Sequence, residues 1–228
     1  MIISHKHKFI FLKTKKTAGT SIEIALSKIC GPDDIITPIT KGDEIARKEF
    51  ANRSAQNYHI PINRRSISHF VKSIALHKRI RYYNHMPAQD VRYLVKKEIW
   101  DSYYKFTVER NPFDKMVSLY FWKKGDQKFG NTYDFLTKGG LNNFLSYDIY
   151  AINGVVAVDK VYDYGDLDTM CRDLTTKFQL SEPLEMPNYK AKSVTRKVKK
   201  YDDLLDKKSI EQIKIIFARE IALMNYKY

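Results

Sequence analysis

The sequence predicts an α/β fold, a parallel sheet flanked by helices, in one domain spanning residues 1–228. Two stretches and one bulk property carry that expectation. Residues 8–25, KFIFLKTKKTAGTSIEIA, pass from an apolar β-branched and aromatic segment through a glycine turn into a helical pattern. Residues 104–121 repeat the change from strand to helix, with Arg110-Asn111-Pro112 at the junction. A chain of 228 residues with 43% hydrophobic and 13% aromatic content can also bury the core of such a domain. No internal repeat, low-complexity tract or second-domain boundary interrupts it.

Along the chain, Phe9-Ile10-Phe11-Leu12 reads as a buried strand. Lys13, Lys15 and Lys16 follow, then the small-residue turn Thr17-Ala18-Gly19-Thr20-Ser21. Ile22, Ile24, Ala25 and Leu26, with Glu23 in the first turn, begin an amphipathic helix. Strand, turn and helix N-terminus form a P-loop-like anion site, because the N–H groups of a first helical turn point at one spot and the helix dipole favours negative charge there. Gly19 permits close backbone approach, and the hydroxyls and lysines add donors and charge. The plain alternative is a strand–glycine–helix link that carries only a cap. Three lysines converging on a donor-rich turn repel one another, and an anion relieves that. The loop is not a Walker A motif, since Lys15 and Lys16 precede Gly19.

Gly31-Pro32-Asp33-Asp34 ends the helix, and residues 35–65 read as an irregular excursion with a short helix. Its basic residues, Arg47, Lys48, Arg53, Arg64 and Arg65, either face an acidic acceptor or form a solvated face. His59, His69 and His77 have no metal-ligand spacing. Residues 84–99 predict one helix, with Pro87 near its first turn and Val91, Leu94, Val95 and Ile99 on one face. His85 stands just before it.

Phe106 and Val108 mark a second strand, Arg110 stands at its end, and Pro112 opens a helix continued by Met116, Val117, Tyr120 and Phe121. Ligands gather at the carboxyl ends of strands in open α/β sheets, which would bring Arg110 to the edge holding the glycine turn. Ser118, two turns into the helix, can share an anion with Arg110, whose planar fork suits phosphate. The alternative is an Arg–carboxylate pair locking the strand end. Further on, residues 131–147 hold one helix and a Gly-Gly break, residues 155–164 one or two short strands, and residues 167–178 a helix. Residues 181–187 form a loop, 188–197 are polar and basic, and Ile210 to Leu223 predicts a C-terminal helix.

Forty Lys and Arg against 26 Asp and Glu, a net charge of +14, imply an anionic partner: nucleic acid, a nucleotide-type cofactor, an acidic polysaccharide or a membrane surface. Cys30 and Cys171 make neither a metal spacing nor a disulfide framework, which fits a reducing compartment. No stretch is apolar for long enough to serve as a signal peptide or membrane span, so a cytoplasmic protein without an integral membrane segment is expected.

These residues together resemble the carbohydrate-type (family 2-like) sulfotransferases that use 3′-phosphoadenosine 5′-phosphosulfate (PAPS). KKTAGTS resembles that family's 5′-phosphosulfate loop, with Lys15 in place of the usual proline, and TVERNPFDKMVSLY resembles its 3′-phosphate motif, with Lys115 where arginine is frequent. HMPAQDVR is similar to its His-x-x-Ala segment and VYDYGDLDTM to its late acidic segment.

The resemblance implies the sulfotransferase fold, PAPS as co-substrate, 3′,5′-ADP (PAP) as product, and no metal. It also implies site residues. Lys16 would stabilise the leaving group, and His85 would be the base, with a pKa near neutrality. Lys15, Lys16, Thr17, Gly19, Thr20 and Ser21 would cradle the 5′-phosphosulfate. Arg110 and Ser118 would hold the 3′-phosphate, while Lys190, Lys192 and Arg196 would cap the cofactor from the late loop. The acceptor implied is a carbohydrate hydroxyl, and the basic residues between 41 and 81 suggest an anionic glycan.

Two other classes remain. A P-loop nucleotide kinase or NTPase requires a magnesium-binding acid and a lysine after the glycine. A non-catalytic basic nucleic-acid-binding protein is permitted by the charge and 16 tyrosines, but no recognised module appears and the lysines cluster at turns.

Overall fold

The computed structural model describes residues 1–60, 81–142, 144–188 and 201–228. Among these, five strands form the main sheet: β1 (Ile2–Ser4), β2 (Phe9–Phe11), β3 (Ile35–Ile36), β4 (Tyr104–Glu109) and, after the small hairpin β5 (Ala151–Ile152) and β6 (Val155–Val156), β7 (Lys160–Asp163). Their spatial order is β3-β1-β2-β4-β7. β2, β4 and β7 run parallel, Phe11 facing Phe106 and Val108 facing Tyr162.

β1 pairs antiparallel with both β2 and β3, so the sheet is mixed where an all-parallel one was expected. The link from Ser4 to Phe9 explains the difference. Residues 5–8 suffice for a hairpin, whereas a parallel crossover takes a dozen residues or more.

The sheet is buried on both faces, as its residue alternation shows. Ile3, Ile10 and Leu12 enter one apolar cluster, while Ile2, Phe9 and Phe11 enter another. Helix α1 (Gly19–Ile29) covers the second face through Ile22 and Leu26. Helices α2 (Lys41–Ala51), α3 (Ala88–Leu94) and α4 (Lys97–Ser102) complete the crossover from β2 to β4. From β4 the chain passes through α5 (Pro112–Trp122), α6 (Gly125–Lys128), α7 (Thr132–Thr137) and α8 (Tyr147–Tyr150) to the hairpin and β7. Helices α9 (Leu167–Lys177), α10 (Lys207–Ile216) and α11 (Ala218–Met224) follow. α5, α7 and α10 share a third cluster around Phe113, Phe135 and Ile213.

Three expected elements come out differently. The helix predicted over 84–99 is two helices, α3 and α4, because Val95 and Lys96 are extended; the break brings Trp100 into the same cluster as Leu94 and Val95. The C-terminal helix is likewise two, divided at Phe217, which is buried with Ile213. Residues 35–60 hold the edge strand β3 and the full three-turn helix α2, whose Thr40 cap accepts from Asp43 N at 3.4 Å. Lys190, Lys192 and Arg196, with Arg64, Arg65, His69 and His77, lie outside the described residues.

Candidate active site

The three parallel strands deliver their C-terminal ends to one edge of the sheet. β2 runs on past its last residue, because Leu12 N donates to Phe106 O at 3.0 Å and Thr107 Oγ1 donates to Leu12 O at 2.7 Å. The Thr14 hydroxyl then donates to the Val108 carbonyl. The chain turns through Lys16 (φ 63°) and Ala18 (φ 55°), both in the left-handed region. That conformation costs roughly 1–2 kcal/mol for a residue with a Cβ, so tertiary contacts must hold it.

Ala18 is the N-cap of α1, and no side chain caps that helix or places an acid in its first turn. Its start is therefore open to an anion in a way that a Ser, Asp or Asn cap would forestall. Glu23, expected in the first turn, is fully buried and takes the Lys13 ammonium. Lys13 thus leaves the lysine group at the turn. Its stem also requires the glycine: a Cβ on residue 19 would lie 2.7 Å from Lys13 Cγ.

Lys15 and Lys16 stay half-buried at the edge. The Lys16 ammonium lies 5.3 Å from the Trp122 ring centroid and that of Lys15 lies 5.5 Å from the Phe144 centroid. Burial first, then the charges of Lys115 and Lys123, pull the Lys15 pKa below its ordinary value. Positive charge is crowded here. Thr20 is buried and Ser21 half-buried at the helix start. Thr17 turns inward, its hydroxyl 2.8 Å from that of Thr14, so of this residue only the backbone faces the turn.

Arg110 meets the turn from the next strand. Its Nη1 donates to the Lys16 carbonyl at 3.0 Å, its Nε donates to Asp114 Oδ2 at 2.6 Å, and its guanidinium carbon stands 4.2 Å from the Tyr164 ring centroid. Both readings of Arg110 are therefore present: it is paired with a carboxylate and it adjoins the glycine turn. Tyr164 immediately follows β7, so all three strand ends contribute. Ser118 is half-buried one turn beyond Asp114 on α5. Lys115 turns away and is buried against Glu109, with 2.6 Å between Nζ and Oε1.

His85 approaches from the crossover, on a left-handed backbone of φ 62°. Its Nδ1 lies 2.9 Å from the Lys13 carbonyl. A carbonyl only accepts, so Nδ1 carries the proton and Nε2 keeps a lone pair. Burial, and after it the Lys13 charge, push the His85 pKa down to about 4, although the bond to the Lys13 carbonyl works the other way. The near-neutral value expected of a base is not what this environment gives.

Asp114, Tyr164, Trp122, Phe144 and Glu23 were not anticipated as site residues. Asp114 follows Arg110 at the i+4 spacing of a helical ion pair, a signal present in the sequence. For the aromatic residues the contacts are tertiary and no local pattern marks them.

A separate cavity of about 440 Å³ is lined by Gln89, Arg92, Tyr93, Val95 and Trp100 among others. It belongs to α3 and α4, which lead into the start of β4, whereas Arg110 follows its end. The charged edge and that cavity are at opposite ends of the strand. Among the described residues, no three His, Cys, Asp or Glu side chains are grouped to hold a metal, and no helix is long and apolar enough to cross a membrane.

An uncapped helix start, two lysines and an arginine from the neighbouring strand gather at one sheet edge of an α/β protein, an arrangement whose charge and donors suit an anion. The chain belongs to the sulfotransferase family, whose model matches residues 1–144, a span containing the glycine turn, His85, Arg110 and Ser118. It is also similar to an uncharacterized protein of Archaeoglobus fulgidus, 31% identical over 106 residues, covering 44% of this chain and 88% of that protein. No solved structure matches it.

Proposed function

We propose that the protein transfers a sulfuryl group from PAPS to a hydroxyl of a carbohydrate acceptor. The observation that carries this reading is the 3.0 Å bond from Arg110 Nη1 to the Lys16 carbonyl, which joins the two phosphate motifs into one ledge. Donors for the 5′ and 3′ ends of a single nucleotide then lie side by side. The uncapped start of α1 with Thr20 and Ser21 meets the 5′-phosphosulfate. Arg110 and Ser118 meet the 3′-phosphate, and Tyr164 backs the guanidinium. Lys190, Lys192 and Arg196 would complete the enclosure from the late loop.

Sulfuryl transfer, like phosphoryl transfer, asks the protein mainly for positioning and charge stabilisation. The bond from acceptor oxygen to sulfur forms as the bridging sulfur–oxygen bond breaks. The acceptor proton passes to His85 Nε2, and the charge left on the departing phosphate is met by Lys16. With a pKa of about 4, His85 is neutral at pH 7 and able to accept. Burial is the first cause of that low value, and an anionic donor beside Lys15 would offset only part of the positive charge that adds to it, raising the proton affinity of His85 when the donor is in place.

The test is calorimetric titration with 3′,5′-ADP, followed by labelled-sulfate transfer from PAPS to a panel of saccharides. Saturable 3′,5′-ADP binding and label in a saccharide support the reading. Binding of magnesium ATP with no affinity for 3′,5′-ADP would overturn it.

A further inference from the structure

We infer that residues 225–228, which follow α11, form a strap that positions the arginine arm of the site. Tyr226 and the Lys227 carbonyl tie together the two residues that flank the Arg110–Tyr164 contact, and so fix the guanidinium before a nucleotide arrives. The inference rests on the sulfuryl-transfer reading, in which Arg110 takes the 3′-phosphate, and adds Tyr226 and Asn111 to it as positioning residues.

The contact lies just past the end of a ladder. Glu109 and Asp163 are the last pair between β4 and β7, so Arg110 and Tyr164 are each the next residue on. The pairing that sets the strand spacing ends before them, yet the Arg110 guanidinium carbon stands 4.2 Å from the Tyr164 ring centroid.

The two flanking residues are both caps. Asn111 Oδ1 accepts from Phe113 N at 3.0 Å and starts α5. Asp163 Oδ1 accepts from Gly165 N at 2.9 Å and shapes the 3-10 turn Tyr164–Asp166. Each cap makes a further bond, and both bonds go to the strap. Asn111 Nδ2 donates to the Lys227 carbonyl at 3.0 Å, and the Tyr226 hydroxyl donates to Asp163 Oδ1 at 3.2 Å. Two successive residues of the strap therefore bridge the ends of β4 and β7 where the ladder stops.

Helix α11 aims the strap. It ends at Asn225, whose left-handed backbone (φ 52°) turns the chain back, and Tyr226 N donates to Ile221 O at 3.1 Å. Tyr228 then meets Phe113 edge to face, with centroids 5.1 Å apart at 73°, and its ring lies 5.6 Å from that of Tyr201. These rings would anchor the strap unaided. They do not require its polar bonds to fall on the two neighbours of the Arg110–Tyr164 contact. Burial first, then the Asp163 charge, pushes the Tyr226 pKa up, so the hydroxyl keeps the proton it donates.

A long side chain that must be ordered on binding costs affinity, and one already ordered does not. Asp114 and the Lys16 carbonyl hold two of the guanidinium nitrogens, and the Tyr164 ring bounds its face. That ring stands on β7, so its grip on Arg110 depends on the strand spacing that the strap maintains.

The test is calorimetric titration with 3′,5′-ADP and with 5′-AMP, the same nucleotide without its 3′-phosphate. Wild type should prefer 3′,5′-ADP by at least about tenfold. Tyr226→Phe keeps the ring and removes the hydroxyl, while Asn111→Ser keeps a capping oxygen and removes the amide donor. Each should cut the preference about threefold, leave 5′-AMP affinity unchanged and hold Tm within about 3 °C. Neither should have a further effect in an Arg110→Ala background. A loss of structure would instead weaken both nucleotides alike. Equal weakening of the two, a full preference in both variants, or a further loss without Arg110 overturns the strap's role and leaves the donor reading standing. Absence of 3′,5′-ADP binding in the wild type overturns the sulfuryl-transfer reading itself, and the strap's role with it.

Discussion

His85 commits its Nδ1 proton to the Lys13 carbonyl and is buried beside positive charge, and both facts have measurable consequences. In the unfolded chain its pKa is near 6.5; in the folded chain it is about 4. Between those values the unfolded state binds more protons, so stability contributed by the neutral imidazole is full above about pH 6.5 and falls as pH drops toward 4. The gap corresponds to about 3 kcal/mol. Urea midpoints for wild type and His85→Gln, compared from pH 7 to pH 4, should converge by an amount of that order. Parallel curves would contradict it.

On the proposed mechanism, Lys16→Ala should lower kcat by roughly a hundredfold or more while leaving 3′,5′-ADP affinity within a few-fold, since the lysine would act on charge that develops only as the bond breaks. Arg110→Ala should show the reverse split, weakening 3′,5′-ADP by about tenfold or more. An Arg110 variant with unchanged nucleotide affinity would reduce that residue to the Asp114 pair it also makes. The meeting of the glycine turn and Arg110 at one sheet edge was legible, because motif spacing puts each at a strand end. The pKa of His85 was not, because it depends on burial and on Lys13, far away in the chain.

At the scale of elements, the junction between β2 and α1 is tightly constrained. Gly19→Ala would push a Cβ to within 2.7 Å of Lys13 Cγ, and Lys13 cannot move without weakening its buried ion pair with Glu23. A loss of about 1–3 kcal/mol in denaturant midpoint analysis is expected, together with weaker 3′,5′-ADP binding. Gly42→Ala in α2 is the matched contrast, because nothing lies within 4 Å of its Cβ position. It should stabilise by about 0.5–1 kcal/mol.

Strand–helix units with a strong period, β2–α1 and β4–α5, could be read from the chain. Where the period was ambiguous, packing decided. Val95 and Phe217 continue a helical pattern in sequence, yet the backbone breaks at each so that Trp100 and Phe217 are buried. β1 is too short to show a period at all, and its antiparallel pairing follows from the brevity of the link to β2.

At the scale of the whole molecule, the net charge is +14, and binding of an anionic ligand should register it. A saturating excess of 3′,5′-ADP, near a hundred times its Kd, should stabilise the protein by about 2.7 kcal/mol, or about 5–10 °C in Tm. Raising salt should shrink that shift, because the exposed part of the attraction is screened over about 10 Å at 0.1 M. A salt-independent shift would mean that the nucleotide is held mainly by neutral contacts. Composition gave the expectation of an anionic partner. It could not say that Trp122 and Phe144 would stand among the lysines, since residues 15, 16, 122, 123 and 144 meet only once the sheet and α5 are in place.

The bond between Lys16 and Arg110 joins positions 94 residues apart. On the proposed reading, nucleotide recognition would thus be a property of the finished tertiary structure rather than of either signature peptide. If that reading holds, a nascent or clipped chain ending before β4 would carry the complete glycine loop and still be blind to the donor, and affinity chromatography on immobilised 3′,5′-ADP would double as a selection for correctly folded molecules.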